Sequence, residues 1–374
     1  MRVLLLNWRD KCNSGWGGAE LTVGKLATGL AKHCDVTLFT SHSRNCKGYE
    51  KVGKLEIIRR GSINTVYFHA LLYMLKNRRK YDAAIESVSI VPFFSPLAFP
   101  SSRIFIIVHH LMRKNMFVAV NPAKAFAAYV AESSIPFLYR KAKFIAQSKF
   151  VRKQLIALGV EAKRISLFRP YGFAYAPSGK KSNRPTIITV GRLVRYKRVG
   201  ELIAIFSEVH KIVPEARLVI VGDGPEKRRL EKLSLSAGLR NFVKFTGFLN
   251  EMEKSAELSK AWVFATTSSI EGFGLSALEA EAHGLPVIAY KNGGLQESVK
   301  NGYSGMLVEN GDRKSFADKI IRLLDKENTD LLYKMSKNAR KYALSFRGNR
   351  KMEDSILDLI SKSLNAKSLQ KGKQ

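Results

Sequence analysis

Two glutamates eight positions apart, Glu271 and Glu279, lie in the stretch EGFGLSALEAEAHGLPVIAY at 271–290. A carboxylate accepts from two vicinal hydroxyls at once, so such a pair suits a sugar or a ribose. Gly272 and Gly274 let the backbone approach a ligand closely. A helix beginning near Leu275 adds unpaired N–H groups and the positive end of its dipole, which favours an anion. Leu275, Leu278 and Ala282 share one helical stripe, so Glu279 should lie beside the buried face and point along a groove. Gly284, with Pro286 just beyond, stops the helix. Phosphate next to polyol is the ligand this stretch predicts.

Three further groups could join it. Gly17 and Gly18 stand between a first strand and a helix, where glycine loops cradle anions. Arg192 and Lys197 follow an apolar run at 186–190 and can reach adjacent phosphates as a fork and a point charge. His109 and His110 close the run at 104–108, where an imidazole can bond a sugar hydroxyl. No D-x-D pair occurs, so the carboxylates that usually bridge a divalent metal to a diphosphate are missing from the sequence.

The elements that must position these groups alternate. Strands are expected at 2–7, 36–40, 55–59, 83–87, 104–108 and 144–146, with a helix at 18–33. A second series follows at 186–190, 218–221, 243–246, 263–266 and 287–290. Strands alternating with helices predict parallel, doubly wound sheets, which bind ligands at the carboxyl ends of their strands. At 374 residues the chain suits two domains. The boundaries read as 1–172, a Pro/Gly/Ser/Lys-rich linker at 173–185, a second domain at 186–345, and a terminal segment 346–374. Helices are expected at 315–344 and 349–364, followed by a frayed basic tail.

The E-x7-E stretch resembles the signature of the retaining glycosyltransferases of family 4, glycosyl transferases group 1, and other matches follow in the family's order. They are GGAE (17–20), GRLVRYK (191–197), LVIVGDGPEKRRL (218–230), VKFTGFL (243–249) and GGLQESVKNGYSGMLV (293–308). The resemblance implies a GT-B fold, two Rossmann-like domains facing across a cleft, with the last helix returning to the N-terminal domain. It implies transfer of a hexose from a nucleotide-diphosphate sugar to a saccharide or lipid-linked acceptor, with retention and without an active-site metal or other cofactor. Glu271 would hold sugar hydroxyls, Glu279 the ribose, and Arg192 and Lys197 the leaving diphosphate. Backbone at Gly272, Phe273, Gly274 and Leu275 would contact sugar and phosphate. Gly17 and Gly18 would face the donor, Gly247 and Phe248 border its base, and His109, preferred by register over His110, would serve the sugar. Two places depart from the family: LFRPYG at 167–172 replaces an Asn-Gly turn, and Thr267 stands where proline is frequent. A sugar-nucleotide epimerase on the same fold, or a basic nucleic-acid-binding protein, are the competing classes. The sequence carries no nucleic-acid-binding module, so no specific nucleic-acid partner is expected.

Charge adds a possible surface. Lys and Arg number 63 against 31 acids, a net +32, which favours polyanions. The segment INTVYFHALLYMLKNRRK at 63–80 can form an amphipathic helix with a basic end, suited to an anionic membrane surface. No run is long enough to span a bilayer and the N-terminus does not read as a signal peptide, so a cytoplasmic protein, peripheral on the inner membrane face, is expected. Cys12, Cys34 and Cys46 are odd in number and lack C-x-x-C spacing, which argues against a disulfide framework. Cys34, His42 and Cys46 likewise lack the paired spacing of a metal site.

Overall fold

The computed structural model describes every residue except 14, 45, 120, 169–179, 347–351 and 372–374. The chain forms two compact units, Met1–Tyr171 with Asn349–Gln374, and Gly172–Gly348.

In the first unit the described strands are β1 (Arg2–Leu6), β2 (Asp35–Thr40), β3 (Tyr49–Val52), β4 (Leu55–Arg59), β5 (Ala83–Val88), β6 (Ile104–Val108), β7 (Lys143–Ala146) and β8 (Ile165–Leu167). They lie in the order β3-β4-β2-β1-β5-β6-β7-β8, with only β3 antiparallel to its neighbour. The near-continuous apolar runs are explained by burial on both faces. Along β1, Leu4 and Leu6 join Val66, Met74 and Phe144 on one side, while Val3 and Leu5 join Leu26, Leu30 and Ile356 on the other. The strands β3 and β8 were not expected from the sequence. YEKV is largely exposed and has no apolar alternation to reveal it, and β8 is three residues long.

The helix Met352–Lys371 packs on this unit through Met352, Ile356 and Ile360, beside the helix Gly18–Leu30. Glu353 fits there because Gly29 leaves room: a Cβ at Gly29 would come within 2.8 Å of its carboxyl group. The basic tail expected to fray after 365 stays helical to Lys371.

The second unit holds β9 (Thr186–Val190), β10 (Arg217–Val221), β11 (Val243–Gly247), β12 (Val263–Thr266), β13 (Val287–Tyr290) and β14 (Gly305–Val308). Their order is β11-β10-β9-β12-β13-β14, all parallel. Ile187, Leu218 and Ile220 face one core cluster, and Ile188, Val219 and Val221 the other. The helix expected over 315–344 is broken in two, Arg313–Leu324 and Thr329–Leu344. Asp325 causes the break, because its extended backbone and carboxylate cap Glu327 and Asn328 instead of continuing the helix.

The linker expected at 173–185 lies outside the described residues as far as 179, as does most of the 167–172 departure. Its remainder is no free linker: the Ser182 N–H donates to the Lys260 carbonyl at 2.9 Å, and the Trp262 indole donates to the Ser182 carbonyl at 2.9 Å. The Lys181 ammonium donates to the Ala261 carbonyl at 2.7 Å. Its mix of Pro, Gly, Ser and Lys gave no hint of these anchors, which depend on a neighbour some 80 residues away.

Candidate active site

The strand order of the second unit reverses at β9, whose two neighbours are β10 and β12. Loops leaving the carboxyl ends of β9 and β12 diverge there, opening the crevice where doubly wound sheets bind ligands. The β9 loop carries Arg192 and Lys197; the β12 loop carries Glu271. The Lys197 ammonium donates to the Glu271 carboxylate, with both side chains largely buried. Burial works against the charge on Lys197, yet Glu271 more than compensates and holds its pKa above the ordinary value.

Neutral bonds lace the same two loops. The Thr267 hydroxyl donates to the Arg198 carbonyl at 2.9 Å, and the Ser269 N–H and hydroxyl both donate to the Tyr196 carbonyl, at 2.8 and 2.9 Å. Thr267, one of the two departures from the family pattern, is thus a tether between the loops.

Close backbone packing continues along this edge. A Cβ on Gly222 would lie 1.9 Å from the Gly191 carbonyl oxygen, so only glycine lets β10 turn against the β9 loop. The Gly222 N–H donates to the Gly247 carbonyl at 2.9 Å, and Phe248 follows with its ring half exposed. Gly274 takes a left-handed conformation, φ 92°, and caps the helix Leu275–Ala282. Its first amides therefore open at the carboxyl edge of the sheet. Gly272 is buried, and the Phe273 side chain is buried too, edge-on to Phe346 at 5.7 Å. Phe273 can offer a ligand its backbone, but its ring belongs to the core.

The helix is buried nearly all round. Leu278 and Ala282, with Leu275 beside them, pack on Ala343 and Phe346, and Ala277 and Ala280 pack on the sheet. It ends as expected, the Leu285 N–H returning to the Ala280 carbonyl. Glu279 is buried and its carboxylate meets the Lys254 ammonium at 2.7 Å. The Lys254 pKa is raised: burial opposes the charge, but Glu279 and Glu251 outweigh it. Nothing in the local sequence marks Lys254 as its partner, since the contact joins two helices.

In the first unit the glycine loop is closed by its own chain. The Glu20 carboxylate accepts from the Gly17 N–H at 2.7 Å, the Trp8 indole at 2.9 Å and the Arg9 guanidinium at 2.7 Å. Burial alone would raise the Glu20 carboxyl, but Arg9 beside it holds it below the usual range. The Gly17 amide, expected to face an anion, is occupied; Gly18 opens the helix. His109 is buried, with Nδ1 3.2 Å from Gln147 Oε1 and Nε2 2.9 Å from the Ser87 hydroxyl. With Nδ1–H donating to Gln147, Nε2 accepts from Ser87. Burial pushes the imidazole pKa below its ordinary value, so it is neutral near pH 7.

One expectation is overturned. Cys12 and Cys46 form a disulfide across 34 residues, and Cys34 alone is free and buried. β1 and β2 are parallel neighbours, so the loops leaving their carboxyl ends meet. An odd cysteine count does not forbid one bridge between such loops.

Two doubly wound units, the second with a cation–carboxylate pair at its switch point, place the protein among the GT-B glycosyltransferase folds. The solved sucrose-phosphate synthase of Thermosynechococcus elongatus shares that architecture, with a TM-score of 0.77 at 21% identity over 99% of this chain and 98% of that one. Anabaena HepE, solved with UDP and glucose, gives 0.74 at 20% over 97% and 100%. The model for glycosyl transferases group 1 matches residues 174–342 and that for glycosyltransferase family 4 matches 16–170. The chain belongs to glycosyltransferase family 4. It is similar to the GDP-mannose-dependent alpha-(1-6)-phosphatidylinositol monomannoside mannosyltransferase of Mycobacterium tuberculosis, 35% identical over 176 residues, 44% of this chain and 45% of that protein. The chain thus spans about half the length of the curated relatives it matches.

Proposed function

We propose that the protein is a hexosyltransferase that moves a hexose from a nucleotide-diphosphate sugar to a saccharide or lipid-linked acceptor, with retention of anomeric configuration. The observation that carries this reading is the Lys197–Glu271 pair at the switch point of the second unit. A diphosphate can take over Lys197 while sugar hydroxyls take over Glu271, so neither charge is left unpaired when the donor enters. Arg192 would share the diphosphate, and the amides opening at Leu275 would bond its oxygens. Glu279 would accept from the ribose hydroxyls, steadied by Lys254, and Gly247 and Phe248 would border the base. His109 would serve a sugar hydroxyl that takes the place of the Ser87 hydroxyl at Nε2. The relatives' names support a nucleotide-sugar donor and a saccharide or lipid acceptor.

In the front-side displacement that the family resemblance implies, the acceptor oxygen bonds to the anomeric carbon as its bond to the diphosphate oxygen breaks. The acceptor proton passes to that diphosphate oxygen. Developing charge on the leaving group is met by Arg192, Lys197 and the helix dipole. We assign the neutralising role to these cations, with no metal in the active site.

We also propose peripheral binding to an anionic membrane face on the cytoplasmic side. Among the described residues no helix is long and apolar enough to cross a membrane. The helix Val66–Asn77 buries Val66, Ala70 and Met74, yet leaves Phe68, Leu72 and Leu75 exposed beside Lys76, Arg78, Arg79 and Lys80. Phe117, Phe126, Val130 and Phe137 are further exposed apolar groups of the same unit. Co-sedimentation with anionic vesicles at moderate salt should exceed that with neutral vesicles; equal recovery refutes membrane binding.

Incubation with UDP-, GDP- and ADP-sugars, with and without acceptor, tests the enzymatic reading. Released nucleotide diphosphate supports it, and conversion of the donor sugar without release would mark an epimerase instead.

A further inference from the structure

A cavity of about 500 Å³ in the first unit is lined by His42, Arg44, Arg59, Arg60 and His69, with Gly61 and Ser62 between them. It lies where β2 and β4, parallel neighbours, end at Thr40 and Arg59, on the ligand-binding edge of the sheet. The two loops are held together: the His42 N–H donates to the Gly61 carbonyl at 2.7 Å and the Arg60 N–H to the Thr40 carbonyl at 2.9 Å. Gly61 takes φ 69°, and a Cβ there would come within 2.4 Å of the His69 ring, so the imidazole lies tight against the loop. The Cys12–Cys46 bridge fixes the segment that carries His42 and Arg44.

The charges in this cavity are not equivalent. Arg59 is buried and neutralised by Asp10 and Glu50, both at 2.7 Å. Arg44 and Arg60 have no carboxylate partner among the described residues. Two guanidiniums without a carboxylate partner, beside two imidazoles, suit a phosphate group in charge and in hydrogen-bond donors. The volume exceeds what one phosphate fills, which leaves room for the body that carries it.

We propose that Arg44 and Arg60, with His42 and His69, bind a phosphate ester carried by the acceptor. This rests on the transferase reading above, and extends it by giving the acceptor a chemical class. The phosphate could belong to a phosphorylated saccharide or to a lipid headgroup, and the test separates these sources.

The intact protein is titrated calorimetrically with glucose 6-phosphate and with glucose, and sedimented with phosphatidylcholine vesicles with and without phosphatidic acid. Wild type is compared with Arg44→Gln/Arg60→Gln, and with Lys334→Gln/Lys337→Gln, which removes the same charge at exposed sites of the other unit. If the source is soluble, wild type binds the phosphate ester but not glucose. The arginine variant then loses about tenfold or more in affinity and the lysine variant loses nothing. If the source is a lipid, the same contrast appears in the vesicle arm alone. Should the glutamine variant fail to fold, Arg44→Lys/Arg60→Lys keeps the charge, loses the forks, and still weakens binding several-fold. Equal binding by wild type and the arginine variants in both arms, or no binding in either, overturns the proposal. Donor hydrolysis without acceptor is read separately. Its absence in wild type overturns the transferase reading, whereas the phosphate site stands or falls on the binding contrast between wild type and the arginine variants.

Discussion

The two units share a strand plan, each sheet reversing order at its first strand, but their switch points are built in opposite ways. In the second unit the charged groups facing one another, Lys197 and Glu271, come from loops on the two sides of the reversal and pair mainly with each other. In the first, the corresponding corner is closed: Glu20 is consumed by Arg9, Trp8 and the Gly17 amide. A ligand can substitute for the first kind of pair without stranding a charge. The second kind can only be broken at the expense of the fold. The difference teaches that a glycine loop in the anion-cradling position is not an anion site until its amides are shown to be available.

The largest expected effect follows from the open corner. Lys197→Ala and Glu271→Ala should each lower kcat/KM for the donor by roughly 10²–10³-fold, with the far-UV circular dichroism unchanged. Activity retained in both would remove the second unit's corner from the reaction and erase the contrast. Glu20→Ala is the matching cut in the closed corner. It strands the buried Arg9 and should cost about 3 kcal/mol of unfolding free energy in urea, with the folded fraction keeping much of its donor turnover. A loss confined to turnover would mean that Glu20 faces a ligand after all.

A smaller effect tests how rigidly the Glu271 loop is held. A Cβ on Gly294 would lie 2.2 Å from the Gly272 carbonyl oxygen and 2.5 Å from the Phe273 Cα. The Gly294 N–H also donates to the Glu271 carbonyl at 2.8 Å. Gly294→Ala must therefore push the loop, and an increase in donor KM of about tenfold is expected from misplacing a binding group. An unchanged KM would show that the loop tolerates displacement.

How much of this was legible in the sequence depends on distance along the chain. The strands beside the sites were readable because two-sided burial makes them short apolar runs, and β3 was not because its face is wet. Glu271, Arg192 and Lys197 could be nominated by residue type and by resemblance, but their meeting is a product of strand order. The tethers from Thr267 and Ser269, the Lys254 partner of Glu279 and the Cys12–Cys46 bridge were invisible for the same reason. Each joins segments that only the sheet brings together.

The smallest effect concerns two histidines, one in each unit. His109 places Nδ1 against Gln147 and Nε2 against the Ser87 hydroxyl; His283 places Nδ1 against the Glu279 carbonyl and Nε2 against the Ser255 hydroxyl. Burial holds both pKa values below the ordinary 6.5. The unfolded chain therefore binds the proton more readily, and stability rises with pH through the window below 6.5 and is lost as pH falls through it. Each group can contribute at most about 1.4 kcal/mol per pH unit in that window. His109 is the more deeply buried, so His109→Gln should flatten the fall in unfolding free energy between about pH 7.5 and 5.5 more than His283→Gln does. Equal slopes in wild type and His109→Gln would mean that His109 takes up its proton within the fold. The first unit would then hold a titrating base at the carboxyl edge of its sheet, and the two units would differ less than their bonding implies.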